Sequence, residues 1–313
     1  MKQAYLFVHF KEKTDPDGEA VYFSLSEDGF HWQEVNESRP ILKSTLGEQG
    51  VRDFTICRTE KGTYYILATD LSLARNFKTK YKENWDVVSR NGSRHLILWE
   101  SDDLIHWSSP RLVQFGDEPF GCVWAPDILY DESNGDYLVH WSSSHPSNNY
   151  GYKKIYYSRT TDFYEFTPPK VLYEKEDSDI IDSALYKDQN NYYLFVKSHP
   201  NPAAILMLQS KNMTGPFSII PEFSEEMAKL ERGQYEAPTA FQTEDGRWCL
   251  FLDYYGSKKK EEQGYVPFIA ESMKTGRFIR SDHSFYFPYG FKHGTVLTLR
   301  PDEYERLKHA NFN

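Results

Sequence analysis

Five ionisable residues recur along this 313-residue chain at intervals of 74, 55, 54 and 57 residues: Asp53, Asp127, Asp182, Glu236 and His293. Each stands at or near the start of a short apolar segment, in RDFTIC, APDILY, IDSALY, EAPTAF and HGTVLTL respectively. Carboxyl groups brought together push one another's pKa values apart, so that one keeps its proton while another stays ionised, as acid–base chemistry requires. A single Asp before a strand is usually a turn residue. Here Pro lies close to two of the acids, and apolar or aromatic residues flank the others, which is unusual for a merely solvated charge. Four carboxylates and an imidazole are therefore expected to converge, and only elements repeating at the same spacing could bring them together.

Such a repeat is present. Tyr-rich apolar segments recur as YLFVHF from Tyr5, YYILAT from Tyr64, YLVHW from Tyr137, YYLFV from Tyr192 and WCLFLD from Trp248, each with the composition and length of a β-strand. A further segment follows each one and ends in a polar turn and an aromatic, at Trp32, Trp107, Phe166, Phe217 and Phe278. Four of the five are also preceded by a strand, beginning near Arg52, Ala125, Ile181 and Glu236; the first is not, and HGTVLTL from His293 supplies the missing one. This pattern predicts an all-β fold: one five-bladed β-propeller over residues 1–313, its ring closed by the N- and C-terminal strands. The first strand of each blade would line the central channel, so the five residues would meet at one mouth. Helical patterning is confined to about 224–231 and 301–310, too little for an α/β barrel.

Composition narrows the partners. The net charge of −10 and the lack of a Lys/Arg stripe argue against nucleic acid, whose binding rests on clustered cations. No apolar run approaches the ~18 residues that span a bilayer, and the interrupted stretch near the start does not read as a leader, so a cytoplasmic protein without membrane contact is expected. Cys57, Cys122 and Cys249 are odd in number and widely spaced, and read as buried thiols rather than disulfides or zinc ligands.

The set RDFTI (52–56), WAPDI (124–128), IDSALYKDQNNYYL (181–194), YEAPTAF (235–241) and HGTVL (293–297) resembles glycoside hydrolase family 43, five-bladed propeller enzymes acting on arabinose- and xylose-containing polysaccharide. The resemblance covers nearly the whole chain. It implies Asp53 as general base, Asp127 as the carboxylate that tunes and orients the acid, and Glu236 as general acid. Two departures keep the carboxylates: Asp53-Phe54 stands where the family has Asp-Pro, and Glu236-Ala237-Pro238 where it has Glu-Gly-Pro. The family's inverting mechanism uses one carboxylic acid to protonate the leaving oxygen and a carboxylate ~6.5–9.5 Å away to activate water.

Strand order places the loops between second and third strands on the same face as the acids. The longest interval owes its excess to residues 70–94, read as a wall that narrows the groove into a pocket. Trp85 and Trp124, with Phe54 and Tyr235 beside the acids, either stack on sugar rings or pack in the core. Asp70, His145, His199 and Asp253 end second strands, where they would bond sugar hydroxyls or be solvated; Asp182, at a blade start, is better placed for substrate. His293 either bonds the acid cluster or is a weak candidate ligand for a central structural cation of the kind seen in relatives; a lone His does not make a metal site, so no metal is assigned and no cofactor is required. Within the resemblance, the short segment after the last strand leaves no room for the C-terminal β-sandwich of many β-xylosidases. An exo-acting α-L-arabinofuranosidase on α-1,5-linked arabinose-containing oligosaccharides is therefore expected, with a β-xylosidase second and a non-catalytic sugar-binding propeller as the alternative of another class. The sequence indicates no oligomeric state.

Overall fold

Each repeat folds as an antiparallel meander, and five such four-stranded sheets stand around a common axis. A computed structural model describes residues 3–11, 16–259, 262–282, 285–288 and 290–312. The chain opens with β1 (Ala4–Lys11), β2 (Tyr22–Ser26) and β3 (Gln33–Glu34). Blade one follows as β4 (Val51–Arg58), β5 (Tyr64–Asp70), β6 (His95–Ser101) and β7 (Arg111–Gln114). Blade two is β8 (Trp124–Asp131), β9 (Asp136–Ser143), β10 (Lys154–Thr160) and β11 (Lys170–Tyr173). Blade three is β12 (Asp179–Asp188), β13 (Asn191–His199), β14 (Ala204–Ser210) and β15 (Ser218–Ile219). Blade four is β16 (Tyr235–Gln242), β17 (Trp248–Tyr254), β18 (Gly264–Ala270) and β19 (Ile279–Arg280). The last strand, β20 (Phe291–Leu299), pairs antiparallel with β1, so the closing sheet runs β20-β1-β2-β3. The expected five-bladed propeller with terminal closure is what the chain forms.

The apolar strands are buried on both faces because each blade packs against two others. Every seam has its own core: Leu6, Phe23, Ile66 and Trp99 between the closing blade and blade one; Tyr65, Leu67, Val139 and Trp141 between one and two; Leu138, Ile155, Leu194 and Val196 between two and three. Tyr193, Phe195, Leu250 and Leu252 fill the seam between three and four, and Tyr5, Phe7, Phe251 and Tyr265 the last one. This use of aromatics explains the Tyr and Phe content, since each large ring contributes apolar area to a seam.

In three of the five sheets the turn after the third strand repeats a hydrogen-bonded device. Asp28 Oδ1 accepts from the amides of Phe30 and His31, Asp103 Oδ1 from those of Ile105 and His106, and Asp162 Oδ1 from those of Tyr164 and Glu165, at 2.7–2.9 Å. These are Asx turns, and they explain why an acid recurs there without any chemistry. Cys122 and Cys249 are buried and Cys57 partly so; all three are free thiols.

At the closing seam the backbones come so close that residue 294 has no room for a side chain. A Cβ on Gly294 would stand 1.8 Å from the Val8 carbonyl oxygen. Helices are few: α1 (Leu73–Asn76) and α2 (Trp85–Asn91) within the long interval, α3 (Pro221–Met227) and α4 (Pro301–Lys308). The last two lie close to the expected helical patterns, whereas α1 and α2 were expected only as a wall without helical structure.

Candidate active site

The inner strands do not run straight into the channel mouth. Each of β4, β8, β12 and β16 carries a bulge near its start, between Arg52 and Thr55, Trp124 and Asp127, Ile181 and Ala184, and Glu236 and Thr239. The residue after the first of each pair has positive φ: Asp53 at 52°, Ala125 at 49°, Asp182 at 51° and Ala237 at 53°. Non-glycine residues in this region store about 1–3 kcal/mol of strain each, which the ring must hold. Bulges re-aim side chains, and here the same distortion is repeated in four blades.

The bulges define which residues are equivalent, and the acids fall into three classes. Asp53 and Asp182 occupy the positive-φ position, Glu236 the position before it, and Asp127 the position two residues after it. A cavity of about 590 Å³ at this mouth is lined by Asp53, Asp182, Glu236 and His293, and Asp127 is absent from its walls. Asp127 instead lies buried lower in the channel, where its carboxylate accepts from Thr55 Oγ1 and the Leu185 amide at 3.0 Å each and lies 3.5 Å from His140 Nε2. Of the five residues expected at the mouth, Asp53, Asp182, Glu236 and His293 line it and Asp127 does not, because its place two residues beyond the positive-φ position turns it deeper into the channel.

Asp53 and His293 form the first charge pair, Oδ1 to Nδ1 at 3.3 Å. Burial works against the Asp53 carboxylate, but the His293 hydrogen bond and charge, with Arg52 beside it, hold its pKa below the usual value. The same cluster acts in reverse on His293: burial disfavours its cation, yet Asp53, Asp182 and Glu236 raise it to about 9. This imidazole is protonated at neutral pH.

Glu236 and Asp182 form the second group. Glu236 Oε2 lies 2.7 Å from Lys197 Nζ, and although burial raises the carboxyl, Lys197, Lys292 and His293 together hold it below its usual value. Asp182 Oδ2 accepts from the Ala237 amide at 3.3 Å. Burial and the negative charges of Glu236 and Asp53 push Asp182 up to about 6, opposed by His293 and Lys197. Of these two acids Asp182 therefore has the higher proton affinity, while Lys197 stays against Glu236. Behind them, Lys292 Nζ bonds Asp253 Oδ1 at 2.9 Å, and burial raises Asp253 to about 6.

Trp85 and Trp124 both line the cavity, edge to face with ring centroids 6.4 Å apart, and Trp85 is 52% exposed. Other expected substrate contacts lie elsewhere. Phe54 is buried in the seam core, 6.4 Å from the Phe10 ring. Tyr235 faces a separate cavity with Leu206 and Met227. Asp70 is 2% exposed and accepts from the Glu48 amide at 2.8 Å, so it holds the wall rather than a ligand. The wall is pinned by two more buried acids: Glu19 accepts from Ser72 Oγ and the amides of Leu73 and Ala74, and Glu48 from the Ser72 amide, Asn76 and Lys80. His145 bonds Glu118 and Ser147 away from the cavity. Among the loops expected to line the mouth, those at 11–19 and 254–264 lie partly outside the described residues.

Sequence reading missed Arg52, Lys153, Lys197, Tyr255 and Lys292, which also line the cavity. A signal for Lys197 existed: it sits on β13 opposite Ile181, the position that Asp253 occupies opposite Glu236 in blade four. Among the described residues no group of three or more His, Cys, Asp or Glu side chains is arranged to hold a metal ion, and no helix is long and apolar enough to cross a membrane.

Comparison with known proteins gives a consistent picture. Residues 1–305 match the family described as "Probable glycosyl hydrolase domain", which is related to glycoside hydrolase family 43. A curated α-L-arabinofuranosidase of Bifidobacterium longum subsp. longum is 26% identical over 242 residues, 68% of this chain, and the match spans 22% of that protein's length. The solved endo-1,4-β-xylanase of Bacteroides thetaiotaomicron aligns with a TM-score of 0.63 at 14% identity, covering 94% of this chain and 93% of that one. The family-43 protein BlXynB of Bacillus licheniformis aligns with a TM-score of 0.61 at 16% identity over 93% of this chain and 55% of its own. At these identities the solved structures speak for the propeller fold. Because the family match takes in every blade and the mouth they share, the chain belongs to this glycosyl hydrolase family.

Proposed function

We propose that the protein is an inverting glycoside hydrolase that removes a terminal pentose, xylosyl or arabinosyl, from an oligosaccharide. The observation that carries this reading is the convergence of Asp53, Asp182 and Glu236 on one cavity, with His293 against Asp53 and Lys197 against Glu236. Asp53, kept ionised by His293 and Arg52, suits a general base that takes a proton from water. Glu236 suits the donor to the leaving oxygen, with Asp182, which burial and the neighbouring carboxylates push up to about 6, setting its proton affinity. Lys197 must then release Glu236, or yield it to the substrate, for delivery to occur. Trp85 and Trp124 offer aromatic faces to a sugar ring.

Between the two pentoses, xylose now comes first. The structure called a xylanase aligns over nearly the whole of both chains, whereas the arabinofuranosidase match spans 22% of that protein. This reverses the order expected from sequence, which rested on the length of the C-terminal segment. The test is incubation with linear xylo-oligosaccharides and α-1,5-linked arabino-oligosaccharides, with the released sugar and its first anomer followed by NMR. Release of single xylose units with inverted configuration is expected; release of arabinose alone would restore the other order, and a retained anomer would refute Asp53 as base.

A further inference from the structure

One position on the second strand of every sheet ties that sheet to the next. It is the residue paired across the ladder with the last one before the inner-strand bulge: Thr69 opposite Arg52, Ser142 opposite Trp124, Lys197 opposite Ile181, Asp253 opposite Glu236 and, in the closing sheet, Phe10 opposite Lys292. Each side chain reaches forward to the inner strand of the following sheet. The Phe10 ring centroid lies 4.4 Å from Arg52 Cζ, Thr69 Oγ1 accepts from the Ala125 amide at 2.8 Å, and Ser142 Oγ accepts from the Asp182 amide at 3.2 Å. Lys197 Nζ bonds Glu236 and Asp253 Oδ1 bonds Lys292 Nζ, so the contacts pass from sheet to sheet in one direction around the whole ring.

The two hydroxyls in this series answer a need that the bulges create. A bulge takes an amide out of the ladder, and a buried amide must find another acceptor. Ala125 and Asp182, the positive-φ residues of blades two and three, give theirs to Thr69 and Ser142, both fully buried. A hydroxyl that accepts in this way still has its own proton to donate. Thr69 donates it to the carboxylate of Asp53, the residue after its register partner Arg52. Blade two thus fixes the Thr69 oxygen and, through it, the direction in which the proton points. His293 Nδ1, 3.3 Å from Asp53 Oδ1, holds the same carboxylate from the closing sheet.

We propose that Thr69 is a positioning residue for Asp53, carrying the register of blade two to the carboxylate that activates water and fixing how that carboxylate meets the mouth. The inference rests on the reading of Asp53 as general base, and its test separates the two. A donor to the charged form favours that form, so loss of the hydroxyl makes Asp53 easier to protonate. Thr69→Val removes the hydroxyl and keeps the branched shape, whereas Thr69→Ser keeps the hydroxyl. The charged groups around Asp53, which are Arg52, His293, Asp182 and Glu236, are the same in both variants and in the unmodified protein. The Asp53 carboxyl carbon is followed by carbon NMR and assigned by its absence in Asp53→Asn. In Thr69→Val it titrates about one pH unit higher than in the unmodified protein, the scale of one hydrogen bond to a charged group, and in Thr69→Ser it returns. On the substrate identified by the oligosaccharide incubation, kcat falls about tenfold in Thr69→Val with KM nearly unchanged, and the acidic limb of the kcat/KM profile moves to higher pH; serine restores both. An unmoved carboxyl titration, a shift that serine does not reverse, or a lower kcat with the acidic limb in place overturns the proposal. If the unmodified protein hydrolyses neither oligosaccharide, the base reading fails, while the NMR titration still decides whether Thr69 holds Asp53. Should Thr69→Val not fold, Thr69→Ala is titrated in its place with the same outcomes.

Discussion

His293 should make the protein's stability depend on pH in a window where few other groups titrate. Its folded pKa of about 9 lies above the ordinary value of 6.5. Below pH 6.5 both folded and unfolded chains carry the proton, and the stabilisation is fully present. As pH rises through the window the unfolded chain loses its proton first, so the contribution declines, and above about pH 9 it is gone. The difference, about 9 less 6.5, corresponds to about 3 kcal/mol at 1.36 kcal/mol per unit. The side chains of His293 and Asp53 are 15% and 17% exposed, so solvent screens little of this. Urea unfolding of the unmodified protein and of His293→Gln at pH 7 and at pH 9.5 measures it, and the gap between the two proteins should narrow by on the order of 2 kcal/mol across that interval. NMR titration of the His293 ring gives an independent midpoint near 9. A gap that does not change with pH, together with a ring midpoint near 6.5, would refute the coupling of His293 to the carboxylates.

Five further outcomes follow from the same geometry. Under the proposed function, Asp53→Asn should fold and lose ~10²–10⁴-fold in kcat, measured on the substrate identified by the oligosaccharide incubation. Asp182→Asn should also lower kcat, whereas Asp127→Ala should chiefly lower stability, by about 1–3 kcal/mol for the donors it leaves unpaired, with near-normal kcat per folded molecule; chemical unfolding and active-site titration separate the two effects. In Lys197→Met the ion pair that holds Glu236 ionised is gone, so the donor keeps its proton longer and the basic limb of the pH–kcat profile moves to higher pH; a limb that stays in place would argue against Glu236 as donor. Gly294→Ala should cost about 3 kcal/mol or more through its clash with the Val8 carbonyl, seen as a lowered Tm or loss of soluble protein.

Most of the architecture was legible because strand seams in a propeller repeat in composition, and the Tyr-rich segments kept their spacing through all five blades. The closing strand was legible from arithmetic, since one inner strand was missing at the start and one was left over at the end. The site was legible only in part. Acids were aligned by residue type, but bulge position decides which way an inner-strand side chain points, and a shift of two residues sends Asp127 down the channel while Asp182 stays at the mouth. Asp70 and Phe54 sit where the sequence placed them along the strand, yet burial gives them to the wall and the seam. Lys197 and Lys292 could not be singled out because lysines are common, and only the register of the second and last strands marks these two.

The pairing of β1 with β20 also sets an order in time. As the chain leaves the ribosome, blades one to four can each form from consecutive segments, but β1 must wait for its partner, nearly the whole chain later. At ~5–20 residues per second that delay is roughly 15–60 s, during which one hydrogen-bonding edge of the first strand is unpaired and open to chaperones or to other nascent chains. His293 lies on β20 itself, so the imidazole that keeps Asp53 charged arrives with the final strand. A chain cut short before β20 thus lacks both a closed ring and the charge pair of its pocket.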